Sequence, residues 1–225
     1  MKTTHLKHLQ HAALIVLLLL VGALKVAAVD FDRMQKVISQ RFGTVAVASL
    51  RDWQKLLQES ADQPAPAKLQ QVNDFFNRRI RFGEDQEIWG QSDYWATPME
   101  TLGRGAGDCE DFTIAKYFTL LLLGIPEEKL RLIYVQARLG GVNSSITQAH
   151  MVLAFYPAPE AEPLILDNLI NDLQPASRRP DLQPVFSFNS QGLWQGASGA
   201  RGTGGPSSLS RWEQLLKRAR AEGFD

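Results

Sequence analysis

The sequence predicts an α+β domain, with N-terminal helices and a cysteine at a helix N-terminus packed on an antiparallel sheet. Three observations predict it. Helical periodicities fill residues 30–81. The single cysteine, Cys109, stands in Gly107-Asp108-Cys109-Glu110-Asp111, directly ahead of an apolar stretch from Phe112 to Leu123. Runs of β-forming residues then carry His150 and Asp167.

Taken in order, the chain begins with Lys2 and Lys7 ahead of an apolar run, Ala12 to Leu24, too short for a comfortable membrane span. Val26-Ala27-Ala28 supplies small residues for cleavage, so residues 1–28 are expected to be a signal peptide cut after Ala28. An uncleaved anchor helix is the alternative. The main domain is expected over 29–195. Helices are predicted over Asp30 to Phe42, Ala46 to Glu59 and Ala67 to Arg81. In the third, Leu69, Val72, Phe76 and either Arg79 or Ile80 share a face, and Pro64-Ala65-Pro66 separates it from the second. Thr97-Pro98-Met99-Glu100 has the spacing of a capping box with proline at the first helical position, which predicts a short helix. Asp108 can cap the next helix, with Cys109 in its first turn and Gly124-Ile125-Pro126 closing it.

Strands are predicted over Leu130 to Arg138, Gln148 to Tyr156, Pro163 to Leu169 and Pro184 to Phe188. His150 falls near the start of one strand and Asp167 near the end of the next. In an antiparallel pair those ends meet, so Asp167 can hold His150 by a hydrogen bond. The Gly/Ser-rich residues 196–208 read as a flexible linker, and residues 209–225 as an amphipathic helix starting at Ser210 and burying Leu209, Trp212, Leu215 and Leu216.

Composition narrows the function. Lysine plus arginine and aspartate plus glutamate both number 24, so nothing favours nucleic acid or an anionic surface. The pairs Arg78-Arg79 and Arg178-Arg179 read as solvated charge. A lone exported cysteine cannot form an internal disulfide. With a downstream histidine and aspartate it has the pattern of a thiol nucleophile, its base and the group orienting that base. Of the four histidines, His5, His8 and His11 fall in the leader, so a histidine partner for Cys109 must be His150. A helix N-terminus favours a thiolate, but Asp108, Glu110 and Asp111 crowd negative charge around it, which disfavours one. Two readings remain open. The acids are caps turned away from the sulfur, or they hold a hard cation such as Ca²⁺.

Gly105-Ala106-Gly107-Asp108-Cys109-Glu110-Asp111-Phe112, Ala115-Lys116-Tyr117, Gln148-Ala149-His150-Met151-Val152-Leu153 and Leu164-Ile165-Leu166-Asp167-Asn168 together resemble the bacterial transglutaminase-like cysteine proteinases. Pro184-Val185-Phe186-Ser187-Phe188-Asn189 and Gly192-Leu193-Trp194 extend the resemblance, which runs from about Asp30 to Trp194 and is nearest to the family's periplasmic, adhesin-cleaving group. The resemblance implies a papain-like, transglutaminase-type fold with Cys109, His150 and Asp167 as the triad. It also implies Ca²⁺ dependence, with Asp108 and Glu110 as ligands and Asp111 as a further one. It implies a periplasmic enzyme that cuts a very large surface adhesin near its N-terminus at an Ala-Ala-Gly site and so releases cells from biofilm. An inner-membrane receptor for cyclic di-GMP would sequester it. The loop Leu139 to Thr147 is longer than the family norm.

For the oxyanion hole, the backbone N–H of Cys109 is the first donor, and the indoles of Trp95 and Trp89 are candidates for a second; packing in the core is the alternative role for both. A transglutaminase-type acyl transferase and a non-catalytic binding module on the same fold are the alternative functions.

Overall fold

The computed structural model describes residues 29–140, 144–197, 199 and 210–224. The predicted leader, most of the predicted linker and residues 141–143 of the 139–147 loop lie outside the described residues.

Three helices open the domain: α1 (Phe31–Phe42), α2 (Ala46–Ser60) and α3 (Ala65–Arg79). Asp30 caps α1 by accepting a hydrogen bond from the Arg33 N–H. The predicted stripe on α3 is buried, with Leu69, Val72 and Phe76 fully so. That helix begins two residues earlier than expected, because Pro66 fits its first turn, where no amide donor is needed.

A two-residue strand β1 (Arg81–Phe82) leads to the short helix α4 (Asp85–Ile88) and then to α5 (Pro98–Arg104). The Thr97–Glu100 capping box of α5 is present in full. Gly105 closes α5 at φ 63°, a left-handed position that suits glycine. Strand β2 (Ala106–Gly107) pairs in parallel with β1. This small pairing lays the start of α4 beside the turn that enters α6 (Cys109–Leu122).

The second half is a six-stranded antiparallel sheet in the order β6-β5-β4-β3-β7-β8. Its members are β3 (Leu130–Arg138), β4 (Thr147–Phe155), β5 (Leu164–Leu166), β6 (Gln174–Pro175), β7 (Leu182–Asn189) and β8 (Gly192–Gln195). The central pair runs in register from Leu130 opposite Phe155 to Arg138 opposite Thr147. Alternation with a period of two divides its side chains between faces. Leu130, Leu132, Met151 and Leu153 join the helical core. Ile133, Val135, Val152 and Ala154 form a thinner layer on the other side, covered by Ala176, Leu182 and Ala197.

The last helix, α7 (Ser210–Glu222), returns to the helical face. Trp212 is fully buried against Tyr117, Phe118 and Phe188, at ring-centroid distances of 5.7, 6.2 and 5.4 Å. The helix buries Trp212 and Leu215 as expected and half-buries Leu216, while Leu209 lies outside the described residues; it buries charge as well. Glu222 accepts from Thr97 Oγ1 and pairs with Arg41 at 2.5 Å; Arg41 also reaches Glu100 at 2.6 Å. Arg218 donates to the carbonyl oxygen of Trp95. This network clamps residues 94–97 between α7, α1 and α5.

Candidate active site

Cys109 is the first residue of α6, as expected, and Asp108 is its N-cap, accepting from the Asp111 N–H at 3.3 Å. Helix α6 packs against β4 through Thr113. Its hydroxyl lies 2.8 Å from the Cys109 carbonyl oxygen and 3.0 Å from that of Met151. The sulfur faces the backbone N–H of Met151, the residue next to His150. One turn of α6 therefore fixes the cysteine against the strand that carries the histidine.

Strand β5 ends at Leu166, and Asp167 steps off its end into contact with His150. The Asp167 Oδ1 to His150 Nε2 distance is 2.8 Å, and both side chains are buried. With Nε2 engaged by the carboxylate, Nδ1 is the nitrogen left for a thiol. Burial alone would raise the Asp167 pKa. Hydrogen bonds from His150, the Leu169 N–H and Arg179, together with the charge of His150, outweigh it and hold the group at about 2. Asp167 is thus a fixed anion under an imidazole.

The acids around Cys109 divide into two groups. Asp108 and Asp111 converge with Asp85, at the start of α4, so that one oxygen from each lies within 4.8 Å of the others. Glu110 is elsewhere: its Oε2 lies 2.7 Å from Cys109 Sγ. The carboxylate trio is pushed toward the neutral form. For Asp108, burial and then the charges of Asp111, Glu110 and Asp85 raise the pKa to about 10. Burial also drives Asp111 well above the usual carboxylate range and raises Asp85. Three backbone amides already bind this trio: Asp111 N–H donates to Asp108 Oδ1, Ala96 N–H to Asp111 Oδ1 at 2.7 Å, and Tyr94 N–H to Asp85 Oδ2. Of the other three oxygens, Asp85 Oδ1 and Asp111 Oδ2 are buried without a hydrogen-bond partner. Three convergent carboxylates with two orphaned oxygens fit an oxygen-seeking divalent cation such as calcium. Without one, the thiol is held protonated. Burial, the charge and hydrogen bond of Glu110, and the charge of Asp108 all raise its pKa.

Asp85 was not expected from the sequence. Its neighbours Glu84 and Glu87 make it look like an ordinary acid in a helical first turn. Only the β1–β2 pairing brings it beside residues 108–111. Arg179 was also misread. Arg178 is solvated as expected, but Arg179 is buried and donates to Asp167 Oδ2 at 2.7 Å.

Of the two tryptophans, Trp89 packs on Tyr94 at 4.8 Å beneath Arg104, and its indole nitrogen is buried without a partner. Trp95 stacks on Phe188 at 5.6 Å, on the segment that α7 clamps and whose next amide binds Asp111. Near the thiol, Tyr134 stacks flat on Phe186 at 5.3 Å. Burial raises the pKa of its hydroxyl, and the charges of Glu110 and Cys109 add to the rise.

The family model of the bacterial transglutaminase-like cysteine proteinases matches residues 51–181. Three solved structures are similar over nearly the whole described chain. Legionella pneumophila LapG is 39% identical, with 86% of this chain and 99% of that one covered and a TM-score of 0.71. The EGTA-treated form of Legionella pneumophila LapG has the same identity and coverage and a TM-score of 0.73. The calcium-bound form of Legionella pneumophila LapG is 42% identical, covering 84% of this chain and 98% of that one at a TM-score of 0.69. No curated protein sequence matches.

Proposed function

The chain belongs to the bacterial transglutaminase-like cysteine proteinases, and from that premise we propose that it is a periplasmic, calcium-dependent endopeptidase that cuts the N-terminal region of a large cell-surface adhesin. Its cysteine-proteinase chemistry follows from the family and from Cys109 at the head of α6. The observation that carries the mechanism is the buried 2.8 Å His150–Asp167 pair beside the helix turn that holds the thiol.

His150 Nδ1 takes the proton from Cys109 Sγ, and the thiolate attacks the scissile carbonyl carbon. The developing oxyanion is met by the Cys109 N–H at the start of α6, where the helix dipole favours negative charge. The imidazolium, balanced by anionic Asp167, then gives its proton to the leaving amine as the C–N bond breaks. A thioester remains on Cys109. His150 next activates a water, which releases the acid and restores the thiol. Asp85, Asp108 and Asp111 would hold the cation, with Glu110 free to turn from the sulfur and join them. Bound calcium would offset the negative charge that raises the thiol pKa and brace the turn carrying Cys109. The calcium-bound LapG structure supports this assignment by similarity.

The leader sequence supports export. The resemblance of the cysteine and histidine blocks supports the adhesin as substrate, a role in biofilm detachment, and a cyclic di-GMP receptor of the inner membrane as the inhibitory partner. The test is incubation with an N-terminal adhesin fragment in calcium and in EGTA, with products read by mass spectrometry. The proposal predicts one internal cut in calcium and none in EGTA. An uncut fragment contradicts it, and cross-linking to an added primary amine in place of hydrolysis identifies an acyl transferase instead.

A further inference from the structure

We propose that Arg179 is a positioning residue for the catalytic pair, acting through Asp167; this rests on the thiol chemistry proposed above. Arg179 follows a turn of 3-10 helix, Ala176–Arg178, and its side chain is 3% exposed. Its guanidinium bridges two carboxylates. Nη2 donates to Asp167 Oδ2 at 2.7 Å and to Asp181 Oδ2 at 2.8 Å, while Nε donates to Asp181 Oδ1 at 3.0 Å. Asp181 is the more exposed partner and fixes the plane of the fork from outside. The other oxygen of Asp167 takes His150 Nε2 and the Leu169 N–H, and its backbone oxygen takes Asn77 Nδ2 at 2.8 Å.

Each part of this arrangement bears on catalysis. A carboxylate held at one oxygen only can rotate about its Cβ–Cγ bond and carry the imidazole with it. Arg179 holds the second oxygen, so Oδ1 stays aimed at Nε2 and the imidazole keeps one orientation, as the proposed proton transfer from the thiol to Nδ1 requires. Guanidinium suits the task because it keeps its proton and offers donors in a rigid plane. Lys116, also buried and near Asp167, is a poorer source of fixed charge, since burial lowers its pKa to about 7.

The test compares Arg179→Met and Arg179→Lys with the wild type, each also in an Asp167→Asn background. Two readouts are used: steady-state cleavage of an adhesin N-terminal fragment, and the rate at which iodoacetamide alkylates Cys109, which needs no substrate. Arg179→Met should lower kcat by about 10- to 100-fold, as loss of a partner that orients a functional ligand does, with KM changed less than about twofold. Alkylation should slow in parallel, and Arg179→Lys should recover part of both rates. In the Asp167→Asn background Arg179→Met should cost nothing further, because the residue through which it acts is already lost. The proposal is overturned if Arg179→Met keeps kcat within about twofold, or if its effect is undiminished in the Asp167→Asn background. If Arg179→Met does not fold cooperatively, Asp181→Asn decides, with a fall in kcat expected only while Asp167 is present. If the wild type alkylates in a His150-dependent manner but leaves the fragment uncut, the adhesin assignment fails while the alkylation series still decides the role of Arg179.

Discussion

Asp167→Asn removes the anion that pairs with His150, and its cost can be worked out from the structure. In the folded protein the Asp167 pKa is about 2, against an ordinary value of 3.8. That difference corresponds to about 2.5 kcal/mol of stability, an order-of-magnitude figure for a side chain 1% exposed. The sign follows from the direction of the shift. A depressed carboxyl pKa contributes stability that is fully present above 3.8 and is lost as pH falls through about 2. Urea unfolding of the two proteins at pH 7 should therefore differ by about 2–3 kcal/mol, and the pH-dependent part of that gap should close between about pH 4 and pH 2. Activity should suffer more than stability. An asparagine offers an N–H where the carboxylate accepted one, which favours the wrong imidazole tautomer, and cleavage should fall by up to about 10⁴-fold. A gap that stays constant with pH, or full activity in the variant, would mean that Asp167 is not the ionised partner of His150.

Other perturbations reach separate parts of the account. Asp85→Asn and Asp111→Asn should each abolish the rise in melting temperature on adding calcium, measured by scanning fluorimetry, because each removes an oxygen of the convergent trio; an undiminished rise would place the ion elsewhere. Gly107→Ala should weaken calcium binding and lower stability, since a Cβ there would come 2.7 Å from Asp111 Cβ; calorimetry with a binding constant equal to wild type would refute the contact. Trp212→Ala should cost about 3–5 kcal/mol in denaturant unfolding, because the ring is fully buried among Tyr117, Phe118 and Phe188; a loss below about 1 kcal/mol would show that α7 is not docked.

What was legible in the sequence was what local pattern controls. The Thr97–Glu100 box, the Asp108 cap and the strand Leu130–Arg138 depend on residues close in the chain, and each took its expected form. The hydrogen bond between His150 and Asp167 was legible from the antiparallel strand ends. Very short strands left little periodicity to detect: β1, β2, β6 and β8 went unpredicted, and β5, expected over Pro163 to Leu169, spans only Leu164–Leu166. Asp85 was hidden for the same reason, since a two-residue parallel pairing is what carries it to the thiol turn. Arg179 was hidden because adjacent arginines look alike on paper. The 3-10 turn leaves Arg178 in water and buries Arg179 between two carboxylates. Glu222 shows the complementary limit: an amphipathic pattern marks the apolar face of α7 but not the ion pair that buried Glu222 makes with Arg41 at its end.

The central claim is that Cys109 is a nucleophile activated by His150 and made usable when a cation offsets the neighbouring acids. The most direct measurement is cleavage of one adhesin N-terminal fragment by wild type, Cys109→Ala and His150→Ala, each in calcium and in excess EGTA, with every protein first shown to be folded. The account predicts cutting by the calcium-loaded wild type alone, with both variants below about a thousandth of its rate. Cleavage by Cys109→Ala above that level would contradict the thiol mechanism, and full-rate cleavage by the wild type in EGTA would contradict the role given to the cation.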